Sequence, residues 1–336
     1  MKMLMFDFRE SEKEFFKNNQ IMDLNIDFIN EPLNKDSDLS SLQLAETDVI
    51  SVFTTSKLCE ETLSKFPNLR LVVTRSTSYS HIDLSYCSQH GISVYNVEDY
   101  GQTAVAEYAV ALILMLIRKI PIAINDMKTH NVEQKKYEGS NLSSLTLGII
   151  GCGSIGSAVA KIAHFFGMKV LISSYMKNPE LGNVCDFVDL ETLIKNSDII
   201  SLHLPFTGDN YYMISHKEFN LMKQGVYIVN TSRGELIDIE ALYDNLLNGK
   251  VSGAALDVLE CEYLTTHPNL TLNKTYEESS PCVKTALITQ KLFNLPNVII
   301  TPHIAYNTTQ SINYLLEASF NNIRDYVKGM YTNRVC

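Results

Sequence analysis

Short aliphatic runs alternate with amphipathic stretches along the whole chain. The runs Met3–Phe8, Asp48–Phe53, Leu71–Thr74 and Ile92–Asn96 lie in the first hundred residues. Leu145–Ile150, Lys169–Ile172, Ile199–Leu204, Val226–Asn230, Gly253–Val258 and Val298–Thr301 follow later. Each is aliphatic and largely uncharged, as a strand buried on both faces must be. Helical patterns separate them, so the chain predicts βαβ units and parallel sheets.

The helical segments have readable ends. Ser215 and Glu218 are spaced as a capping box, and Gly225 closes that segment. Asp238 can cap the next helix, which stops at Gly249. Ala104–Ile117 is almost wholly apolar, but Glu107 interrupts it and Arg118 and Lys119 follow. It falls short of the about 18–20 clean apolar residues that span a bilayer, and it predicts a buried helix packed between domains or subunits. Glu262–Gln290, rich in Thr, Asn, Ser and Pro, predicts one long irregular loop.

The sharpest local signal is Gly151-Cys152-Gly153-Ser154-Ile155-Gly156, set between the strand Leu145–Ile150 and a helix that begins near Ser157 and ends at Gly167. In that setting Gly151 makes the tight turn and Gly153 lets a pyrophosphate approach the backbone. Gly156 permits close helix–strand packing, and the helix N-terminus offers amides to the phosphates. The motif sits mid-chain, so the dinucleotide domain is expected over 101–302, inserted into a second, flavodoxin-like α/β domain made of 1–100 and 303–336. The final helix, Thr308–Lys328, returns to that second domain. The predicted fold is thus a Rossmann-type doubly wound parallel sheet inserted into another α/β domain. Crossings near Tyr100 and His303 would make a hinge.

Length and charge agree with this division. The chain has 336 residues, suited to two domains of roughly 150 residues each. It is 45% hydrophobic and 20% charged, with a net charge of −10, which argues against nucleic acid or an anionic membrane as partner. The N-terminal segment Met1–Phe8 is too short for a signal-peptide core and reads as a first strand. Seven cysteines stand scattered at 59, 87, 152, 185, 261, 282 and 336. No C-x-x-C pair occurs, so neither a zinc knuckle nor a disulfide framework is expected, and the cytoplasm is the simplest home. Cys87 with His90, and His130 with Glu133, lack a third ligand close in sequence, so no metal is expected.

Three residues at strand ends carry candidate chemistry. Arg233 follows the strand Val226–Asn230, where its planar fork could hold a carboxylate and an adjacent carbonyl together. His303 follows Val298–Thr301 and a proline, and an imidazole titrates near neutrality, as a proton donor should. Glu262 lies beyond the strand aspartate Asp257, with Glu260 as a nearby competitor. A carboxylate bonded to the histidine would stabilise its protonated form.

The order of separated blocks resembles the D-isomer-specific 2-hydroxyacid dehydrogenases. The blocks are Thr74-Arg75-Ser76-Thr77, His81-Ile82-Asp83, Asn96-Val97, Tyr100-Gly101 with Val105-Ala106-Glu107, and the glycine turn. Ser201-Leu202-His203-Leu204-Pro205, Asn230-Thr231-Ser232-Arg233-Gly234, Ala255-Leu256-Asp257-Val258 and Thr301-Pro302-His303 complete the series. The resemblance covers nearly the whole chain and is most like the D-lactate dehydrogenase branch. It implies NAD- or NADP-dependent reduction of a small 2-oxo acid, pyruvate favoured, to the D-2-hydroxy acid. Hydroxypyruvate or glyoxylate reductases and phosphoglycerate-type dehydrogenases are the alternatives, with a dinucleotide-sensing, corepressor-like binding protein as a different class.

The same resemblance assigns roles. Arg233 orients substrate, and the family's spacing selects Glu262 as partner of the acid His303. Thr77 and Ser78 supply amides to the substrate carboxylate, and Tyr100 contacts substrate. Ser154 and Ile155 lie over the pyrophosphate, His203, Leu204 and Pro205 line the adenosine, and Asn210, Thr231 and Ser232 lie nearby. Asp257 flanks the nicotinamide side, and a homodimer is the family's expectation. Two positions depart from the pattern. Ser78 replaces a usual glycine, which would strain a backbone of positive φ. Ser174 stands where NAD-selective folds place an acid, so a 2′-phosphate would not be repelled, and Lys177 is close in sequence.

Overall fold

The computed structural model describes residues 1–19, 21, 23–98, 100–266, 280–330 and 333–336. It divides into two compact units, Met1–Gly101 with Asn307–Cys336, and Gln102–Tyr306.

The first unit holds β1 (Lys2–Met5), β2 (Asn25–Phe28), β3 (Val49–Val52), β4 (Leu71–Thr74) and β5 (Ser93–Tyr95). They form one parallel sheet in the order β2-β1-β3-β4-β5. That is the flavodoxin-like order. Successive residues alternate faces: Met3 and Met5 join one core cluster and Leu4 the other. The last helix, Thr309–Val327, is capped by Thr308 and inserts Leu316, Phe320 and Ile323 into the cluster with Met3 and Tyr95.

The second unit holds β6 (Thr146–Ile150), β7 (Lys169–Ser173), β8 (Asp186–Phe187), β9 (Ile199–Leu202), β10 (Val226–Asn230), β11 (Val251–Leu256) and β12 (Val298–Ile300). All pair in parallel, in the order β12-β11-β10-β9-β6-β7-β8. The chain runs outward from β6 through β7 to β8, then resumes at β9 on the other side of β6. The reversal puts a crevice at the carboxyl ends of β6 and β9, where doubly wound sheets bind ligands. This is the Rossmann-type arrangement expected from the sequence.

Several local readings meet their predicted residues. Ser215 and Glu218 form the capping box of the helix His216–Leu221, and Asp238 Oδ1 accepts from the Glu240 and Ala241 amides to cap Ile239–Leu247. The helix after the glycine turn starts earlier than expected, at Ser154, and ends at Phe165 with Gly167 at φ +77°. The apolar helix, Gln102–Ile117, buries Ala106, Ile113 and Leu116 in the same cluster as Leu147 and Val159. Its burial is met within its own unit, so its apolarity does not by itself call for a second subunit. Among the described residues, no helix is long and apolar enough to cross a membrane.

Three readings need correction. The edge strands β2 and β8 were not expected. The segment Glu262–Gln290 is not one loop: Glu262–Thr266 and Pro281–Leu292 are helical, and 267–279 lie outside the described residues. Ser280 and Pro281 supply the start, since proline suits the first turn, where its missing N–H costs nothing. Finally, Cys261 and Cys282 form a disulfide, with Cα atoms 5.6 Å apart. It joins the start of the first of these helices to the start of the second. Spacing alone does not reveal a bridge between residues 21 apart.

Candidate active site

The glycine turn is built by steric necessity. Gly151 adopts φ +100°, and a Cβ on it would stand 2.3 Å from the His203 carbonyl oxygen. A Cβ on Gly156 would stand 2.1 Å from the Gly151 carbonyl oxygen. Position 151 therefore requires glycine where the ends of β6 and β9 meet, and position 156 where the helix Ser154–Phe165 packs on the turn. Gly153 differs, since a Cβ there would meet nothing within 4 Å. It faces open space at the start of the helix Ser154–Phe165, whose first-turn amides have no intrahelical partners. Exposed Ser154 and half-buried Ile155 occupy that first turn. An open glycine beside unpaired amides suits the close approach of a pyrophosphate, so this turn fits the dinucleotide read from the sequence.

The ends of β9 and β10 add two unsatisfied polar groups. His203 Nε2 bonds Ser201 Oγ at 2.8 Å, but His203 Nδ1 is buried with no partner. Burial pushes its imidazole down to about 4, so it is neutral near pH 7. Thr231 Oγ1 is likewise buried and unpartnered. Buried polar atoms without partners are costly, and both belong to residues that directly follow the carboxyl ends of β9 and β10.

Other predicted cofactor residues serve their own loops. Asn210 Oδ1 accepts from the Thr207 N–H at 3.0 Å and its Nδ2 donates to the Pro205 carbonyl at 2.8 Å. The side chain thus closes the turn after Leu204 and Pro205. Ser232 Oγ donates to the Leu202 carbonyl at 2.6 Å, stapling the end of β10 to β9.

Around the end of β11 the structure brings together Arg233, Asp257, Glu262 and His303. Asp257, 1% exposed, accepts from Thr301 Oγ1 at 2.6 Å, the Ile304 N–H at 3.0 Å and the Ala305 N–H at 2.9 Å. The His303 N–H donates to the Asp257 carbonyl at 2.9 Å. These bonds wind 301–305 tightly over the strand end, keep residues 303–306 in the second unit, and hold His303 at φ +54°. Asp257 is thus a positioning residue for the histidine.

His303 Nδ1 bonds Glu262 Oε2 at 3.1 Å, and Glu262 Oε1 accepts from the Leu259 N–H at 3.1 Å. A carboxylate only accepts, so Nδ1 carries a hydrogen and Nε2 is the nitrogen that gains or gives a proton. Burial works against the imidazolium, yet the hydrogen bond and charge of Glu262, with the charge of Asp257, outweigh burial and the opposing Arg233. The net result raises the pKa above the ordinary histidine value. Both side chains keep about two-fifths of their surface open, 41% for His303 and 38% for Glu262.

Glu260, the competitor, is committed elsewhere. Tyr211 and Tyr212 donate to its two carboxylate oxygens at 2.9 and 2.8 Å. Burial, with the neighbouring phenol and carboxylate, pushes the Tyr212 phenol up, so it stays a donor.

Arg233 is half-buried, and Nη1 donates to the Ser232 carbonyl at 2.6 Å. Among the described residues it makes no ion pair, so its charge is available to an anionic ligand. Two residues that order it stand in the sequence block around Arg233 but carry no assigned role there. Asn230 Nδ2 donates to the Arg233 carbonyl at 2.8 Å while Asn230 Oδ1 accepts from the Ser232 N–H. A Cβ on Gly234 would stand 2.0 Å from the Glu260 nitrogen, so the Arg233 turn lies directly on the loop leading to Glu262. Their sequence signal is membership of the block Asn230–Gly234, without a role attached. Gly234→Ala is expected to force those two segments apart at about 1–3 kcal/mol, read as a lower thermal midpoint together with lost activity.

Thr77, Ser78 and Tyr100 belong to the first unit. Ser78 is not among the residues with positive φ, so the strain feared for serine does not arise. Thr77 Oγ1 donates to the Val97 carbonyl at 3.1 Å, and Asn96 Nδ2 donates to the Thr77 carbonyl at 3.0 Å. Tyr100 is half-buried.

Known proteins resemble the chain in sequence and in fold. Residues 110–305 match the family described as D-isomer specific 2-hydroxyacid dehydrogenase, NAD binding domain. An aromatic 2-oxoacid reductase of Clostridium sporogenes is 34% identical over 343 residues, covering 100% of both chains. A hydroxypyruvate reductase of Thermotoga maritima is 37% identical over 268 residues, 80% of this chain and 81% of its own. A D-lactate dehydrogenase from Aquifex aeolicus, solved with NAD and lactic acid, matches with a TM-score of 0.84 at 36% identity, covering 99% of this chain and 98% of that one. With the fold and the glycine turn, these likenesses make the chain a member of the D-isomer-specific 2-hydroxyacid dehydrogenases, which are NAD-dependent oxidoreductases.

Proposed function

We propose that the protein reduces a small 2-oxo acid, with pyruvate the favoured substrate, to the D-2-hydroxy acid. The observation that carries the site assignment is the His303–Glu262 hydrogen bond beside an arginine that makes no ion pair among the described residues. Arg233 holds the acid's carboxylate and polarises its carbonyl, Thr77 and Ser78 supply amide donors to the carboxylate, and Tyr100 contacts the substrate. Gly151, Gly153, Ser154, Ile155 and Gly156 hold the pyrophosphate of the coenzyme, His203 lines its adenosine, and Thr231 lies nearby. The chemistry the bound nicotinamide coenzyme supplies is a hydride donor for C2 of the acid. His303 Nε2–H delivers the proton to the substrate oxygen, and Glu262 keeps the ring charged until then. We extend the proposal to a homodimer on the family resemblance, and to the cytoplasm on the scattered cysteines, among which one Cys261–Cys282 bridge does not make a disulfide framework.

The deciding experiment follows NADH oxidation with pyruvate, hydroxypyruvate, glyoxylate and phenylpyruvate. Turnover with pyruvate at the highest kcat/KM supports the reading, and a preference for another acid moves the substrate assignment. Inert wild-type protein across the panel would favour a dinucleotide-sensing role.

Glu262 sets the sign of the pH dependence. The reaction toward hydroxy acid needs imidazolium, so its rate holds below the raised pKa of His303 and falls as pH rises through it. The reverse oxidation needs neutral imidazole and rises with pH. Glu262→Gln removes the charge that raises this pKa, so both transitions are expected to move to lower pH. An unmoved pH profile would remove Glu262 from the pair.

A further inference from the structure

Ser174 follows β7 at the place where an NAD-selective fold presents a carboxylate to the ribose 2′-hydroxyl. Such a carboxylate accepts from the hydroxyl and repels a 2′-phosphate. Ser174 cannot play that part. Its Oγ already accepts from the Cys152 N–H at 3.2 Å and the Met176 N–H at 3.3 Å. A hydroxyl has two acceptor lone pairs and one hydrogen, so only the O–H remains to be offered. A phosphate oxygen, which accepts, is a suitable partner for it.

The surroundings carry matching charge. A cavity of about 530 Å³ beside the glycine turn is lined by Gly153, Ser154, Ser157, Lys161, Lys177 and Asn178, among others, and among the described residues no acidic one lines it. Ser154, Ser157 and Lys161 recur at i, i+3 and i+7 of one helix, so they share a face. Lys177 arrives from the loop after β7. Asn178 fastens that loop, with Nδ2 donating to Ser157 Oγ at 3.3 Å and Oδ1 accepting from the Glu180 N–H at 3.0 Å. Glu180, which pairs with Lys161 at 3.5 Å, is exposed and does not line the cavity.

We propose that this cavity seats the 2′-phosphate of NADP(H), with Lys161 and Lys177 supplying positive charge and Ser174 the hydroxyl donor at its edge, so that the enzyme accepts the phosphorylated coenzyme beside NAD(H). Ser174 does not line the cavity but bonds the amides of the lining residues Cys152 and Met176. The assignment rests on the dinucleotide lying along the glycine turn. It names the residues that decide coenzyme choice at that site.

The test is calorimetric binding of 2′,5′-ADP and 5′-AMP to the intact protein, two nucleotides that differ only in the 2′-phosphate. The expected result is binding of 2′,5′-ADP about tenfold tighter at low salt, as charge-assisted bonds to phosphate allow, with the advantage shrinking as ionic strength rises. Lys177→Glu and the pair Lys161→Ala with Lys177→Ala, all at exposed positions, should each remove that advantage, and Ser174→Asp should reverse it. The matching kinetic readout is kcat/KM with NADPH relative to NADH. If 5′-AMP binds and the 2′-phosphate adds nothing, or its advantage survives loss of both lysines, the seat is refuted while the dinucleotide reading stands. If 5′-AMP and NAD both fail to bind, the dinucleotide reading falls and the seat with it.

Discussion

His303→Asn is expected to lower kcat for 2-oxo acid reduction by about 10²–10⁴-fold, the usual contribution of a positioned general acid. Asparagine is the informative replacement because residue 303 sits at φ +54°, a backbone region that asparagine tolerates better than most residues. Its amide cannot give up a proton, so the loss reports the chemistry and not an unwound loop. The Asp257 bonds to 304 and 305 involve backbone N–H groups and survive the change. Circular dichroism and the thermal midpoint should therefore stay near those of the wild type. Reduction and oxidation should suffer together, since one group serves both directions. Activity within fivefold of wild type would remove His303 from the reaction.

The second large effect is expected at Arg233. Arg233→Ala should cut kcat/KM by about 10³-fold, taking loss of one preorganised charge-stabilising donor as the guide. KM should rise and kcat should fall, because the same guanidinium binds the carboxylate and polarises the carbonyl. Arg233→Lys keeps the charge but not the planar fork, so it should recover only part of the loss. An independent sign accompanies these numbers. The Arg233 charge lowers the His303 pKa, so Arg233→Ala should move the pH transition upward, opposite to Glu262→Gln. An unchanged KM together with an unmoved transition would show that Arg233 touches neither the acid nor the histidine.

What the sequence disclosed followed physical legibility. Strands buried on both faces announce themselves as aliphatic runs, and β1, β3 to β7 and β9 to β12 all fall within the predicted runs or overlap them. β2 reads Asn-Ile-Asp-Phe with both end residues exposed, and β8 has two residues, so neither edge strand forms an apolar run. The helix Pro281–Leu292 mixes polar with apolar residues around its circumference, leaving only Ser280-Pro281 as a start signal. At the site, residue types and strand ends pointed to Arg233 and His303. Between Glu260 and Glu262 the residue types alone left the choice open and the family's spacing selected Glu262; the structure adds the physical reason, since Tyr211 and Tyr212 hold both oxygens of Glu260. The roles of Asn230 and Gly234 are matters of close approach between segments distant in sequence, visible only once the loops are in place.

The bridge between Cys261 and Cys282 lies one residue before the carboxylate that partners the histidine. In a buffer containing dithiothreitol, Glu262 would be joined to its surroundings by peptide backbone and weak bonds alone; in an oxidising buffer a covalent clasp is added. Rate constants gathered with and without a reductant therefore describe two different covalent forms of the chain. Purified material should be assigned to one of them, by counting titratable thiols, before any variant is compared.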